Sequence, residues 1–139
     1  MNAITTAVTG ILKGKPYNFP RKSVAYSLLD ELNENGVKAG IEFYNKVTQN
    51  KNYYLAEDEM NIVSYKLLQA DKLELAAEVL KLGIKSFPKR FNLYDSYGEV
   101  LLVLGDTLKA IESYEKSVEI NPGNENGIRV LLKIHENGN

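Results

Sequence analysis

The chain has 139 residues, one domain's worth and long enough to bury a continuous core. Its 44% hydrophobic and 25% charged content is ordinary for a globular protein, and a net charge of −1 gives no electrostatic argument for nucleic acid or an anionic membrane. With no cysteine, neither a disulfide frame nor a thiolate metal site can form.

No apolar run is long enough to predict a membrane span. Residues 1–14 lack the positive start and small-residue cleavage site of a signal peptide. The compartment stays open, because a reduced cytosol and an oxidising periplasm both tolerate a chain without cysteine.

In chain order, residues 1–20 read as a helix followed by a connector. Ala3, Ile4, Val8, Ile11 and Leu12 recur at loose helical spacing over 2–13, and Gly14-Lys15-Pro16 stops them. Tyr17 to Pro20 cannot be helical, since Pro16 and Pro20 each push the preceding residue to extended geometry. Val24, Leu28, Leu29 and Leu32 then share one helical face over 21–33. Asn35-Gly36 turns the chain, and a second amphipathic helix over 37–49 carries Ile41, Phe43, Tyr44 and Val47. Asn50-Lys51-Asn52 is a polar surface loop, from which Tyr53, Tyr54 and Leu55 are expected to tuck back onto the following repeat. Glu57-Asp58-Glu59 opens the next helix, where carboxylates favour the positive end of its dipole.

From there a period appears. Leu67, Leu68, Ala76, Glu78 and Pro88 recur unchanged as Leu101, Leu102, Ala110, Glu112 and Pro122, every pair at a spacing of 34. Such a period marks a helical hairpin that cannot bury its apolar face alone and stacks on a copy of itself. The copies are repeats 57–90 and 91–123, with residues 21–56 a degenerate first hairpin: Gly40, Tyr44 and Val47 align with Ala76, Leu80 and Gly83 at a spacing of 36. Ser64/Gly98 and Ala76/Ala110 are small where helices must approach closely. Gly105 ends one helix and Asp106 caps the next, while Asp71 holds Gly105's left-handed turn position in the earlier copy. Asn121-Pro122-Gly123 breaks the chain, and Asn124 caps a final helix over 124–136 whose Ile128, Leu131, Leu132 and His135 continue the apolar positions as an end cover. The count expected is eight helices and no strands.

These residues resemble the tetratricopeptide repeat. Tyr94, Tyr97, Gly98, Leu101, Gly105, Ala110, Tyr114 and Pro122 fall on its large-residue, Leu-Gly, aromatic, Ala, aromatic and Pro pattern; Met60, Val63, Ser64, Leu67, Ala76, Leu80 and Pro88 follow it in the preceding copy. The resemblance implies an all-α, TPR-like right-handed superhelix of stacked antiparallel helix hairpins. It also implies an inner surface made by the first helix of each hairpin. On that surface Asp58, Asn61, Tyr65, Leu68 and Gln69 would be followed by Asn92, Asp95, Glu99, Leu102 and Val103, a peptide groove of amides, carboxylates and an aromatic ring. Acidic residues there disfavour an acidic terminal tail and suit a neutral or basic segment.

A second resemblance rests on Ile11-Leu12-Lys13-Gly14-Lys15-Pro16-Tyr17 and Phe19-Pro20-Arg21-Lys22-Ser23. It is similar to the segment leaving the catalytic domain of some bacterial serine β-lactamase-like (penicillin-binding-protein-like) hydrolases, in which a tail similar to residues 21–136 follows. This implies the C-terminal helical appendage, or a fragment, of such an enzyme.

No constellation for chemistry accompanies either resemblance. That family's reaction needs Ser-x-x-Lys together with Lys-Thr-Gly. Ser86-Phe87-Pro88-Lys89 and Ser113-Tyr114-Glu115-Lys116 fit the first pattern, but Lys-Thr-Gly is missing from the sequence. His135, the single histidine, lacks metal-ligand spacing to any carboxylate and reads as a half-buried helix residue. The expectation is therefore a non-catalytic protein-interaction module with no cofactor and no metal. The alternatives are an accessory domain of a hydrolase, or self-association with residues 2–13 of one chain in the groove of another.

Overall fold

The computed structural model describes residues 20–138. The expected helix over 2–13 lies outside these residues. Six helices follow: α1 (Val24–Val47), α2 (Glu57–Gln69), α3 (Leu73–Ser86), α4 (Phe91–Leu104), α5 (Thr107–Ile120) and α6 (Glu125–Asn137). α1 is itself a hairpin, because Gly36 departs from helical geometry at φ 89°, ψ −177°, so the turn expected at Asn35-Gly36 is present. The result is an all-α, TPR-like right-handed superhelix of stacked antiparallel hairpins.

The sequence period is visible in the backbone. α2 and α4 start at Glu57 and Phe91, and α3 and α5 start at Leu73 and Thr107, the same offset in both cases. The turns between the paired helices repeat bond for bond. Lys72 N–H donates to Leu67 O at 2.9 Å and Asp71 N–H to Leu68 O at 3.0 Å; Asp106 N–H donates to Leu101 O at 2.9 Å and Gly105 N–H to Leu102 O at 3.0 Å. Both turns need a left-handed residue at the helix end, supplied by Asp71 at φ 61° and Gly105 at φ 88°. Asp106 and Asn124 cap α5 and α6 by accepting from Lys109 N–H and Gly127 N–H, each at 3.2 Å.

Packing follows from the spacing of large and small side chains. Leu28, Met60, Val63, Leu67, Val79, Leu80, Leu93 and Val100 form the buried interior. Small residues set the closest approaches: Gly83 meets Leu93, and Gly98 lies under the Tyr114 ring. The aromatic residues expected in the interior divide by depth. Tyr114 is buried, whereas Tyr94 and Tyr97 are half-buried.

Three expectations are corrected. A short parallel pairing exists where the sequence predicts no strands: β1 (Lys22–Ser23) runs beside β2 (Tyr53–Tyr54), with Lys22 N–H donating to Asn52 O at 2.9 Å. The extended stretch before α1 and the loop before α2 meet there, and each satisfies backbone groups of the other. Tyr53 turns to the first hairpin rather than onto the next repeat, meeting Phe43 edge-on with centroids 5.9 Å apart. Tyr54 does reach forward, its hydroxyl donating to Glu59 Oε2 at 3.1 Å.

The third correction concerns the end of the stack. The spacing predicts that α6 buries its apolar positions, yet Ile128 is 38% and Leu132 58% exposed, and His135 is exposed rather than half-buried. Only Gly127 of α6 is fully buried. The reason is geometric: α4 has α5 lying over its Tyr94–Gly98–Leu101 face, and no described helix takes the corresponding place over α6. None of the described helices is long and apolar enough to cross a membrane.

Candidate functional site

The face that the resemblance assigns to the inner surface is carried by the first helices of successive hairpins, α2, α4 and α6. Their side chains are joined across the helices by a line of polar contacts. Ser96 Oγ, buried on α4, donates to Asn61 Oδ1 on α2 at 2.6 Å. Tyr65 Oη donates to Glu99 Oε2 at 2.8 Å, linking the same repeat position of two successive copies. Asp95 then bridges to the end of the stack, its Oδ1 accepting from Asn124 Nδ2 and its Oδ2 from Asn126 Nδ2, each at 3.0 Å. Arg129 Nη2 donates to Asn126 Oδ1 at 2.8 Å.

The candidates named from sequence therefore separate into two groups. Asn61, Tyr65, Asp95 and Glu99 are half-buried and tied to a neighbouring helix, the first two and Glu99 between α2 and α4 and Asp95 to the start of α6. Asp58, Gln69, Asn92 and Val103 are exposed and take no part in these cross-helix bonds. Leu102, grouped with the groove in the sequence, instead lines a cleft at the end of the stack, with Ile111 and Leu131. Ile62, 43% exposed on α2, is an apolar neighbour of the inner row that the spacing argument did not single out.

A third row escaped the sequence reading altogether. Asn126, Arg129 and Lys133 stand one full period after Asn92, Asp95 and Glu99. Carrying the same offset past residue 123 would have found them. Arg129 and Lys133 are exposed, so the inner surface changes sign along its length, from Asp58, Asp95 and Glu99 to these two cations.

The environment of the line is dry enough to alter its phenols. Burial, with Glu99 adding to it and Ser96 opposing, pushes the Tyr65 phenol above its ordinary value of 10.0. Tyr114, directly behind, is also raised, by burial first and then by the carboxylates of Asp95 and Glu99. Tyr65 therefore stays a neutral donor to the Glu99 carboxylate at any physiological pH, a charge-assisted bond that fixes both side chains.

The other sequence candidates are occupied structurally. Ser113 Oγ is buried and donates to Tyr94 O at 2.6 Å, and Ser86 Oγ is bonded to the Tyr44 hydroxyl. Neither serine is paired with its lysine. Among the described residues no group of three His, Asp or Glu side chains is placed to hold a metal ion.

The fold is similar to that of a solved structure of a MamA mutant, a TPR-like protein, with a TM-score of 0.61 and 19% identity over 82% of each chain. No protein-family model matches the chain, and no curated protein sequence matches it. At that identity the likeness carries the fold alone. Most of the segment that resembles β-lactamase-like hydrolases, residues 11–19, lies outside the described residues.

Proposed function

We propose that the chain is a non-catalytic interaction module that holds an extended peptide segment across the inner faces of α2, α4 and α6. The observation that supports this reading is the polar line itself. Asn61, Tyr65, Asp95 and Glu99 are held in place before any ligand arrives, so little side-chain ordering remains to oppose binding. Around them stand exposed groups with unused capacity: amides at Gln69 and Asn92, and apolar contacts at Ile62 and Val103. Amides pair with a peptide backbone, and the apolar side chains accept alternate residues of an extended strand. The reversal of sign orders the ligand. Neutral or basic residues belong over α2 and α4, and an acidic residue or terminal carboxylate belongs over Arg129 and Lys133.

The test avoids the structural members of the line. Peptides are selected against the intact chain from a displayed library, and their affinities are measured for Val103→Glu, Asn92→Lys and Lys133→Glu. Each substitution should weaken binding at least about tenfold, equivalent to about 1.4 kcal/mol. Lys85→Gln, exposed on α3, should not. Retention of affinity by all three inner-face variants would remove the peptide from this surface.

A further inference from the structure

Among the described residues, the last helix keeps a face that the preceding repeat covers and this one does not. In the complete repeat, α5 covers one face of α4: Tyr114 lies against Gly98, Ser113 bonds Tyr94 O, and Leu101 is buried. Moved on by one period, that face is Ile128, Leu132 and His135 on α6. Among the described residues nothing covers it, and Leu132 is 58% exposed. On one flank of this strip a cleft of about 770 Å³ opens between α5 and α6, lined by Ile111, Leu131 and Ile134. Their counterparts one repeat earlier, Ala77, Tyr97 and Val100, are closed over, with Ala77 and Val100 buried. A strip that presents Ile128 and Leu132, with His135 at its end, at positions where the preceding repeat seats a helix is shaped for one amphipathic helix.

We infer that the strip is the seat of residues 2–13 of a second copy of this chain. Three observations select that occupant. Ile4, Val8 and Ile11 fall on one face at helical spacing, and the 12-residue segment matches the 13 residues of α6. Beside them run Ala3, Ala7 and Gly10. In the inner repeat a small residue of the first helix, Gly98, faces a large one, Tyr114; at the end of the stack the first helix offers large Leu132, and small residues on the incoming helix complement it. The third is reach. Residues 14–19 span at most about 20 Å when extended. The segment joins at the first hairpin, while the strip lies beyond the third, roughly 30 Å away at about 10 Å per helix layer. One copy's segment therefore meets another copy's strip, a head-to-tail contact.

The experiment measures molar mass by light scattering over a range of concentrations. The full chain should grow in mass with concentration. Leu132→Glu, which alters the strip at an exposed site, and Val8→Glu, which alters the segment, should each remain a monomer with an unchanged helical circular-dichroism signal. An equimolar mixture of the two variants should double in mass, because each retains the half that the other lacks. A wild-type chain that stays monomeric overturns the inference. So does association that survives Val8→Glu but not Leu132→Glu, which would mean that α6 strips pack on each other, and so does a mixture that fails to pair.

Discussion

Gly98 and Tyr114 occupy one space between them: a Cβ at residue 98 would stand 2.6 Å from two carbons of the Tyr114 ring. Residues 64 and 80, the same two positions one repeat earlier, are Ser and Leu. Large and small have been traded within the pair, so the two copies keep one helix spacing with different side chains. Gly98→Ser alone should cost about 1–3 kcal/mol by overpacking. Tyr114→Leu alone should also destabilise, through a cavity. Made together they restore the earlier copy's pair, and denaturant titration should show a combined loss smaller than the sum by at least about 0.5 kcal/mol. Simple additivity would mean that the two positions are not coupled.

The two left-handed turn residues predict opposite effects. Asp71 holds φ 61° with a side chain, whereas Gly105 holds φ 88° without one. Asp71→Gly should raise stability by about 0.5–1 kcal/mol, and Gly105→Ala should lower it by a similar amount although nothing crowds the added methyl. Thermal melts of the two variants check the signs.

Asn124 does more than cap α6. Besides accepting from Gly127 N–H, it donates to Asp95 Oδ1 at 3.0 Å and Ser117 Oγ at 2.8 Å, and it is buried. Asn124→Ala should therefore cost more than Asp106→Ala, which removes an N-cap bond worth about 1 kcal/mol and an exposed, weak ion pair to Lys109. Amide hydrogen exchange should rise throughout α6 in the first variant and stay local to the start of α5 in the second.

Stability should fall in alkali. Burial raises the phenols of Tyr44, Tyr65 and Tyr114 above 10.0, so the folded chain holds these protons more tightly than the unfolded chain. Their contribution is complete below about pH 10, the unfolded value, and is lost as pH rises through the higher folded values. The melting temperature should decline steeply from about pH 10 upward. Tyr65→Phe should make the decline shallower, because one linked proton is gone. An identical alkaline slope in that variant would show that Tyr65 ionises as freely folded as unfolded.

The repeated helices were legible because their information is local and periodic. Leu67, Ala76, Gly105 and Asp106 each act through spacing, closeness or backbone conformation, which a sequence displays directly. The contacts of the inner surface are a different kind of fact. Spacing puts Tyr65 and Glu99 on the same face, but only the distance between neighbouring helices decides that their ends meet at 2.8 Å. For the same reason Asp58 and Asn92 looked equivalent to Asn61 and Asp95, although the first pair is exposed and the second is tied into the line. The β1–β2 pairing has two residues per strand, too few to show any alternation. The fate of Ile128, Leu132 and His135 was hidden because apolar spacing marks what a helix offers, not whether a partner comes.

The near-identity of the two central turns has a consequence for lengthening the molecule. Because the turns after α2 and α4 repeat bond for bond and the helices of the two units start at one offset, a further copy of residues 57–90 spliced between Arg90 and Phe91 should be able to continue the stack. Growth by insertion would then leave the paired start and the uncovered finish untouched. Each added unit would extend the inner surface by one more row, and a ligand of matching length could be accommodated without redesigning either terminus.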